Sequence, residues 1–274
     1  MTDADARLRD EVEAWREGRY ERLRQPVGWL TLAGLDWLKP GVNRVGSAPD
    51  ADVVLSSGPA DAGTVVVEGS VVRATGAFEL DGRRVEDVPL QTDANQQEPT
   101  LLALGDLRLC VIDREGRLAI RSWDTASSRR RAFDGIPHWP VDARWSVVAR
   151  FEPTPGRVRR VPDVLGGGQD EESPGDLVFE VDGTRCRLQA LPGGPDGELW
   201  LVFGDATNGH ETYGGGRFLY TPPPDPDGTV RVDFNRAYNP PCVFSPYATC
   251  PLPWPENRLA VRIEAGEMLV SETE

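Results

Sequence analysis

The stretch whose reading decides the fold is "LRLCVIDREGRLAIRSW", residues 107–123. Two runs rich in Leu, Val and Ile meet at Glu115-Gly116, and an X-Gly pair between such runs is a hairpin signal. The pattern recurs: "TVVVEGSVVRAT" (64–75) turns around Glu68-Gly69, and "LVFEVDGTRCRLQAL" (177–191) around Asp182-Gly183. "RWSVVARFEP" (144–153), "GELWLVFGDAT" (197–207), "PDGTVRVDFN" (226–235) and "RLAVRIEAGE" (258–267) read as further strands. Many short strands joined by tight turns give an antiparallel sandwich or barrel, not a βαβ fold. Only residues 3–24 break the pattern. There Leu8, Val12, Trp15, Tyr20 and Leu23 recur among charges at helical spacing, which predicts one amphipathic helix.

The fold expected is therefore mostly β. It comprises an N-terminal helix (1–26), an antiparallel β-sandwich (27–135) and a second antiparallel β-barrel or sandwich unit (136–274). "DVLGGGQDEESPGD" (163–176) is Gly-rich and acidic, a composition that reads as a solvated surface loop.

Composition narrows the function classes. The formal net charge is −14, and an acidic surface repels phosphate backbones, so nucleic acid is not an expected partner. No apolar run approaches the ~18 residues of a membrane span, and the N-terminal residues hold no apolar signal core. A cytoplasmic protein without a membrane partner is expected. No Walker loop, dinucleotide fingerprint, H-E-x-x-H, EF-hand or nucleophile elbow occurs, so neither cofactor nor metal is expected.

Two resemblances follow from particular residues. "RVGSAPDADVVL" (44–55), through Gly46, Asp52, Val53 and Leu55, resembles the opening of a forkhead-associated (FHA/SMAD-like) domain, which implies a β-sandwich for the N-terminal part. That family grips phosphate with an arginine after the glycine, where this chain has Ser47, and its later Ser-x-x-His element has no counterpart. A phosphopeptide partner is accordingly not expected. "WLTLAGLDWLKPGVNRVGS" (29–47), "FGDATNGHETYGGGRFLY" (203–220), "DFNRAYNPPCVFSPYATCPLPWPENRL" (233–259) and "IEAGE" (263–267) look like the DUF1684 family of bacterial and archaeal proteins. The resemblance marks the 233–259 stretch as the family signature and brings no chemistry with it.

The residues of that signature must supply the chemistry. Its prolines at 240, 241, 246, 251, 253 and 255 forbid regular helix or central strand and make a stiff loop. On the preceding strand Val230, Val232 and Phe234 share one face and Arg231, Asp233 and Asn235 the other. Asp233, Asn235, Arg236, Tyr238 and Asn239 lie close in sequence, and Asn257 returns beside them. "GHETYGGGRF" adds Glu211, Tyr213 and Arg217. One reading is a pocket for a small polar or anionic molecule. In it Asp233 or Glu211 moves a proton, Arg217 and Arg236 hold charge, and Tyr213, Asn235, Tyr238, Asn239 and Asn257 line the walls. The other is a non-catalytic scaffold in which these residues satisfy the backbone of a proline-rich loop. Whether any reaction occurs, and the oligomeric state, stay open.

Cys242 and Cys250 admit four states: reduced buried thiols, a disulfide, metal ligands with His210, or a nucleophile with its base. The expectation is two reduced thiols that lie close in space, because a cytosolic setting disfavours a bridge.

Overall fold

In a computed structural model the described residues are 3–94 and 97–270. Strands make up 44% and helices 15%, as the hairpin pattern requires. The chain divides into two compact units, one of residues 22–133 with 245–248, the other of residues 1–21, 134–244 and 249–274.

The first unit has eleven strands among the described residues. They are β1 (Leu32–Trp37), β2 (Gly41–Gly46), β3 (Val53–Val54), β4 (Gly63–Glu68), β5 (Val71–Gly76), β6 (Glu79–Leu80), β7 (Arg83–Arg84), β8 (Val88–Leu90), β9 (Leu102–Leu104), β10 (Leu107–Arg114) and β11 (Arg117–Asp124). They form a six-stranded sheet, β1-β11-β10-β9-β6-β7, and a five-stranded sheet, β3-β2-β4-β5-β8. Val45, Val65 and Val72 from one sheet meet Leu102, Leu109 and Ile120 from the other in a single apolar core. That is a sandwich. The β10–β11 turn sits where the sequence puts it, with Glu115 at φ 56° and Gly116 at φ 79°, the two left-handed residues a tight hairpin needs. The β4–β5 turn lies one residue later than expected. Glu68 pairs with Val71, so Gly69 at φ 62° takes the first central position.

The second unit holds α1 (Asp3–Leu23, whose last two residues fall in the other unit) and seven strands among the described residues. These are β12 (Ser146–Pro162), β13 (Gly168–Val181), β14 (Thr184–Gln189), β15 (Leu191–Pro192), β16 (Leu199–Phe203), β17 (Arg217–Thr221) and β18 (Thr229–Asp233). Their sheets run β14-β13-β12-β18 and β15-β16-β17. Leu177, Leu188, Leu201, Leu219, Val232 and Phe234 build its core, each fully buried side chain contributing ~1.5–3 kcal/mol against exposure.

Two expectations fail here for physical reasons. The acidic stretch 163–176 is not a loop, because from Gly168 on it is strand β13. Arg160 stands opposite Asp170 and pairs with it at 3.8 Å, and Arg159 stands in register with Glu171, so charged side chains line the ribbon in place of apolar packing. Gly175 is required there, since a Cβ would lie 2.5 Å from the Phe151 ring. Residues 258–267 form no strand either, and only single bridges at Arg258 and Glu267 remain. Leu259, Val261, Gly266 and Glu267 keep single bonds to backbone, and the groups between them are held by buried side chains.

Candidate functional site

Those side chains begin with Arg217, which is 0% exposed at the start of β17. Its Nη2 donates to Asp205 Oδ2 (2.8 Å) and Ile263 O (2.9 Å), and its Nη1 donates to Ala265 O and, at 3.4 Å, to Glu267 O. Asp205 Oδ1 accepts from Thr207 N at 2.8 Å and Ile263 N at 3.3 Å. One buried ion pair therefore does for the C-terminal segment what a neighbouring strand would otherwise do. Burial pushes the guanidinium pKa down, opposed by Asp205. Expected as an anion clamp, Arg217 instead turns its charge inward and serves the fold.

The signature residues are similarly engaged. Asp233 ends β18 and caps the 3-10 turn Phe234–Arg236, its Oδ1 accepting from the Asn235 backbone N at 3.2 Å and Nδ2 at 2.9 Å. Asp233 and Asn235 are buried although they alternate with the core face, because the chain leaves the sheet at Asp233. Asn235 exchanges two hydrogen bonds with the Asp142 backbone, at 3.0 and 3.1 Å. Asn257 donates to Gln189 O (2.9 Å) and Val202 O (3.0 Å) and accepts from Gln189 N (2.8 Å). Arg236 stands 3.4 Å from both Asp233 and Glu11. Glu211 pairs with Arg262 at 2.7 Å, which holds its carboxyl below the usual range. Tyr213 lies against Gly215, where a Cβ would come within 2.4 Å of its ring. The structure joins Asp233, Asn235 and Arg236 in one turn. Glu211 and Arg217 have partners of their own.

Cys242 and Cys250 are bonded to each other, Cα atoms 6.3 Å apart. The expected proximity is observed, whereas the expected reduced thiols are replaced by a disulfide. The proline-rich loop folds back on itself and brings the two sulfurs to bonding distance, while Cys110 and Cys186 are free and buried. Among the described residues no group of three His, Cys, Asp or Glu side chains is arranged to hold a metal ion.

A cluster with unfilled hydrogen-bonding capacity lies on α1 and the segments beside it. Arg19, on the apolar stripe of α1, is buried and pairs with the fully buried Glu267 through Nε and, at 3.1 Å, Nη2. Glu267 Oε2 also accepts from Asn239 N at 2.7 Å. The Arg19 guanidinium lies 4.6 Å from the centre of the Tyr238 ring. Burial raises the pKa of the Tyr238 hydroxyl, with Tyr220 adding to it. On the next residue of the helix, Tyr20 Oη stands 3.3 Å from His138 Nδ1. His138 Nδ1 is 2.6 Å from Ile136 O, which assigns the proton to Nδ1 and leaves Nε2 as an acceptor. Burial, then the nearby Arg16 charge, brings the His138 pKa down to about 4, so the ring is neutral.

Three polar atoms of this cluster are buried without a hydrogen-bond partner: His138 Nε2, Arg16 Nε and Asn239 Oδ1. Asn239 is 1% exposed, so its bare oxygen faces the protein interior. Arg16 donates from Nη2 to Trp139 O at 3.1 Å, and among the described residues no carboxylate lies within ion-pair distance of it. Arg19 and Glu267 form an ion pair, and Glu13 and Glu267 act on the Arg16 charge only from beyond ion-pair distance. Of these residues the sequence reading singled out Tyr238 and Asn239 and missed Arg16, Arg19, Tyr20, His138 and Glu267 as a group. A signal was present: Arg19 falls four residues after Trp15 and four before Leu23, on the stripe that must be buried.

Comparison with known proteins places the chain in a family. A family model described as "Protein of unknown function (DUF1684)" matches residues 131–268, half of the chain. A solution NMR structure of an uncharacterized protein of Haloarcula marismortui is 29% identical, over 53% of this chain and 81% of that one, with a TM-score of 0.44. No curated protein matches.

Proposed function

The chain belongs to the DUF1684 family, and we propose that its C-terminal unit binds a small polar or anionic molecule at the cluster of Arg16, Tyr20, His138 and Asn239. One observation carries this reading: a half-buried guanidinium with no carboxylate at ion-pair distance among the described residues sits beside an imidazole held neutral, and both present bare nitrogen atoms. Unmatched buried polar groups cost ~1–3 kcal/mol each, and a ligand that supplies their partners recovers it. Arg16 Nε donates, whereas His138 Nε2 and Asn239 Oδ1 accept. The complement is a molecule with an anionic acceptor next to a hydroxyl or amide donor. The test is a thermal-shift screen of small hydroxy acids and amides against wild type and Arg16→Met. A ligand at a hundred times its Kd raises stability by ~2.7 kcal/mol. The reading stands if at least one compound stabilises wild type and not the variant. It fails if none does, or if both respond alike.

A scaffold reading draws support from the signature itself, since Asp233, Asn235, Asn257 and Arg217 all bond to the fold. For the N-terminal unit we read a forkhead-associated-like sandwich. Its support is the two-sheet core and the parallel β2–β3 pair, Val45 beside Val53 and Gly46 beside Val54. Ser47 Oγ donates to Gly58 O at 2.9 Å, so that turn closes on itself and offers no cationic fork.

A further inference from the structure

A second cluster lies in the same unit, where β12, β13 and β14 meet the 3-10 turn Pro255–Asn257. Asp176 is buried and its two oxygens accept from Arg157 and Arg187, the latter at 2.6 Å. Gln189, its register partner on β14, is 5% exposed. Arg159 Nη1 donates to Gln189 Oε1 at 3.0 Å, which fixes the orientation of the amide. Gln189 Nε2 is then a buried donor with no partner, and Arg157 Nε is another.

The scaffold around these donors is rigid. Asn257 holds the Gln189 backbone through both N–H and C=O. The Arg159 guanidinium lies 5.1 Å from the centre of the Trp254 ring, and Trp254 Nε1 is anchored to Arg160 O at 2.8 Å. The remaining side of Arg159 is loosely held: its Nη2 reaches Glu256 only at 3.3 and 3.5 Å, and the Glu256 side chain is 63% exposed.

Every unfilled position is thus a donor, because Asp176 and Gln189 Oε1 are already engaged. Charge points the same way. Arg157 and Arg187 are balanced by Asp176 and Glu152, so Arg159 carries a net positive charge once Glu256 swings into solvent. We propose that Arg159, Gln189 Nε2 and Arg157 Nε form a binding site for a small carboxylate, with Glu256 holding the place of the ligand. The acceptor-only, planar, monoanionic group matches a fork of N–H donors, and the exposed Glu256 pair is weak enough to be displaced.

The test titrates acetate into the full-length, isotopically labelled protein, with chloride at equal ionic strength as control. The Gln189 side-chain amide resonance is followed by NMR and assigned by its absence in Gln189→Leu. Acetate should move this resonance saturably, Glu256→Gln should tighten the midpoint at least threefold, and Arg159→Gln should abolish saturation. Arg16→Met, which lies in the other cluster, should leave the midpoint unchanged. That separates failure here from failure of the first reading. Absence of saturation in both wild type and Glu256→Gln overturns the site. So does an unchanged midpoint in Arg159→Gln while its melting temperature stays near wild type, or an equal response to chloride, which means an adventitious ion only.

Discussion

Acidification should destabilise the protein through His138, and the size of the effect follows from its surroundings. The ring packs beside Arg16, Arg19, Tyr20 and Glu267, and its folded-state pKa is about 4, against ~6.5 in an unfolded chain. A depressed pKa means the unfolded state takes up the proton first. The stability contributed by neutral His138 is complete above pH ~6.5 and is lost as pH falls toward 4. At pH 5 the difference amounts to ~2 kcal/mol, and the partly exposed ring brings it nearer ~1–2 kcal/mol through solvent screening. The assay is urea unfolding at pH 7.5 and pH 5.0 for wild type and His138→Asn, whose amide can still donate to Ile136 O. All other groups are common to both proteins, so the difference between the two pH dependences isolates His138. Wild type should lose ~1–2 kcal/mol more than the variant over this interval. Equal losses would refute the assignment of a buried neutral imidazole.

Breaking the buried pair should be severe: Asp205→Ala strands the Arg217 charge and should cost ~3–5 kcal/mol, while a loss under 1 kcal/mol in chemical unfolding would show that the charge finds water. Asn257→Ala removes three bonds to buried backbone and should cost at least ~2 kcal/mol. Arg236→Ala, at 3.4 Å from both carboxylates, should cost only ~0–1 kcal/mol, and the reverse order in melting temperature contradicts the division between core and surface drawn above. Denatured, unreduced protein should titrate two thiols, Cys110 and Cys186, and four after reduction. Loss of the short cross-link should lower stability by ~2–3 kcal/mol, and four thiols without reductant would disprove the bridge.

The sequence by itself determined the elements that depend on local rules. X-Gly turns between β-branched runs set the hairpins at Glu115-Gly116 and Asp182-Gly183, because both residues of each pair take left-handed φ there. The helical spacing of Leu8, Val12, Trp15 and Leu23 set α1, and six prolines made the signature stretch an irregular loop. Side-chain partnerships across distant segments were decided only by tertiary structure. Arg217 reaches Ile263 and Ala265 from 46 and 48 residues away, and no local pattern distinguishes that arginine from one facing a ligand. The acidic ribbon 168–173 is a strand because arginines stand opposite it, not because of its own composition. Arg19 and Glu267 are 248 residues apart in the chain. A buried charge is tolerable only beside its opposite, and which opposite charge arrives is a property of the folded chain, not of either neighbourhood.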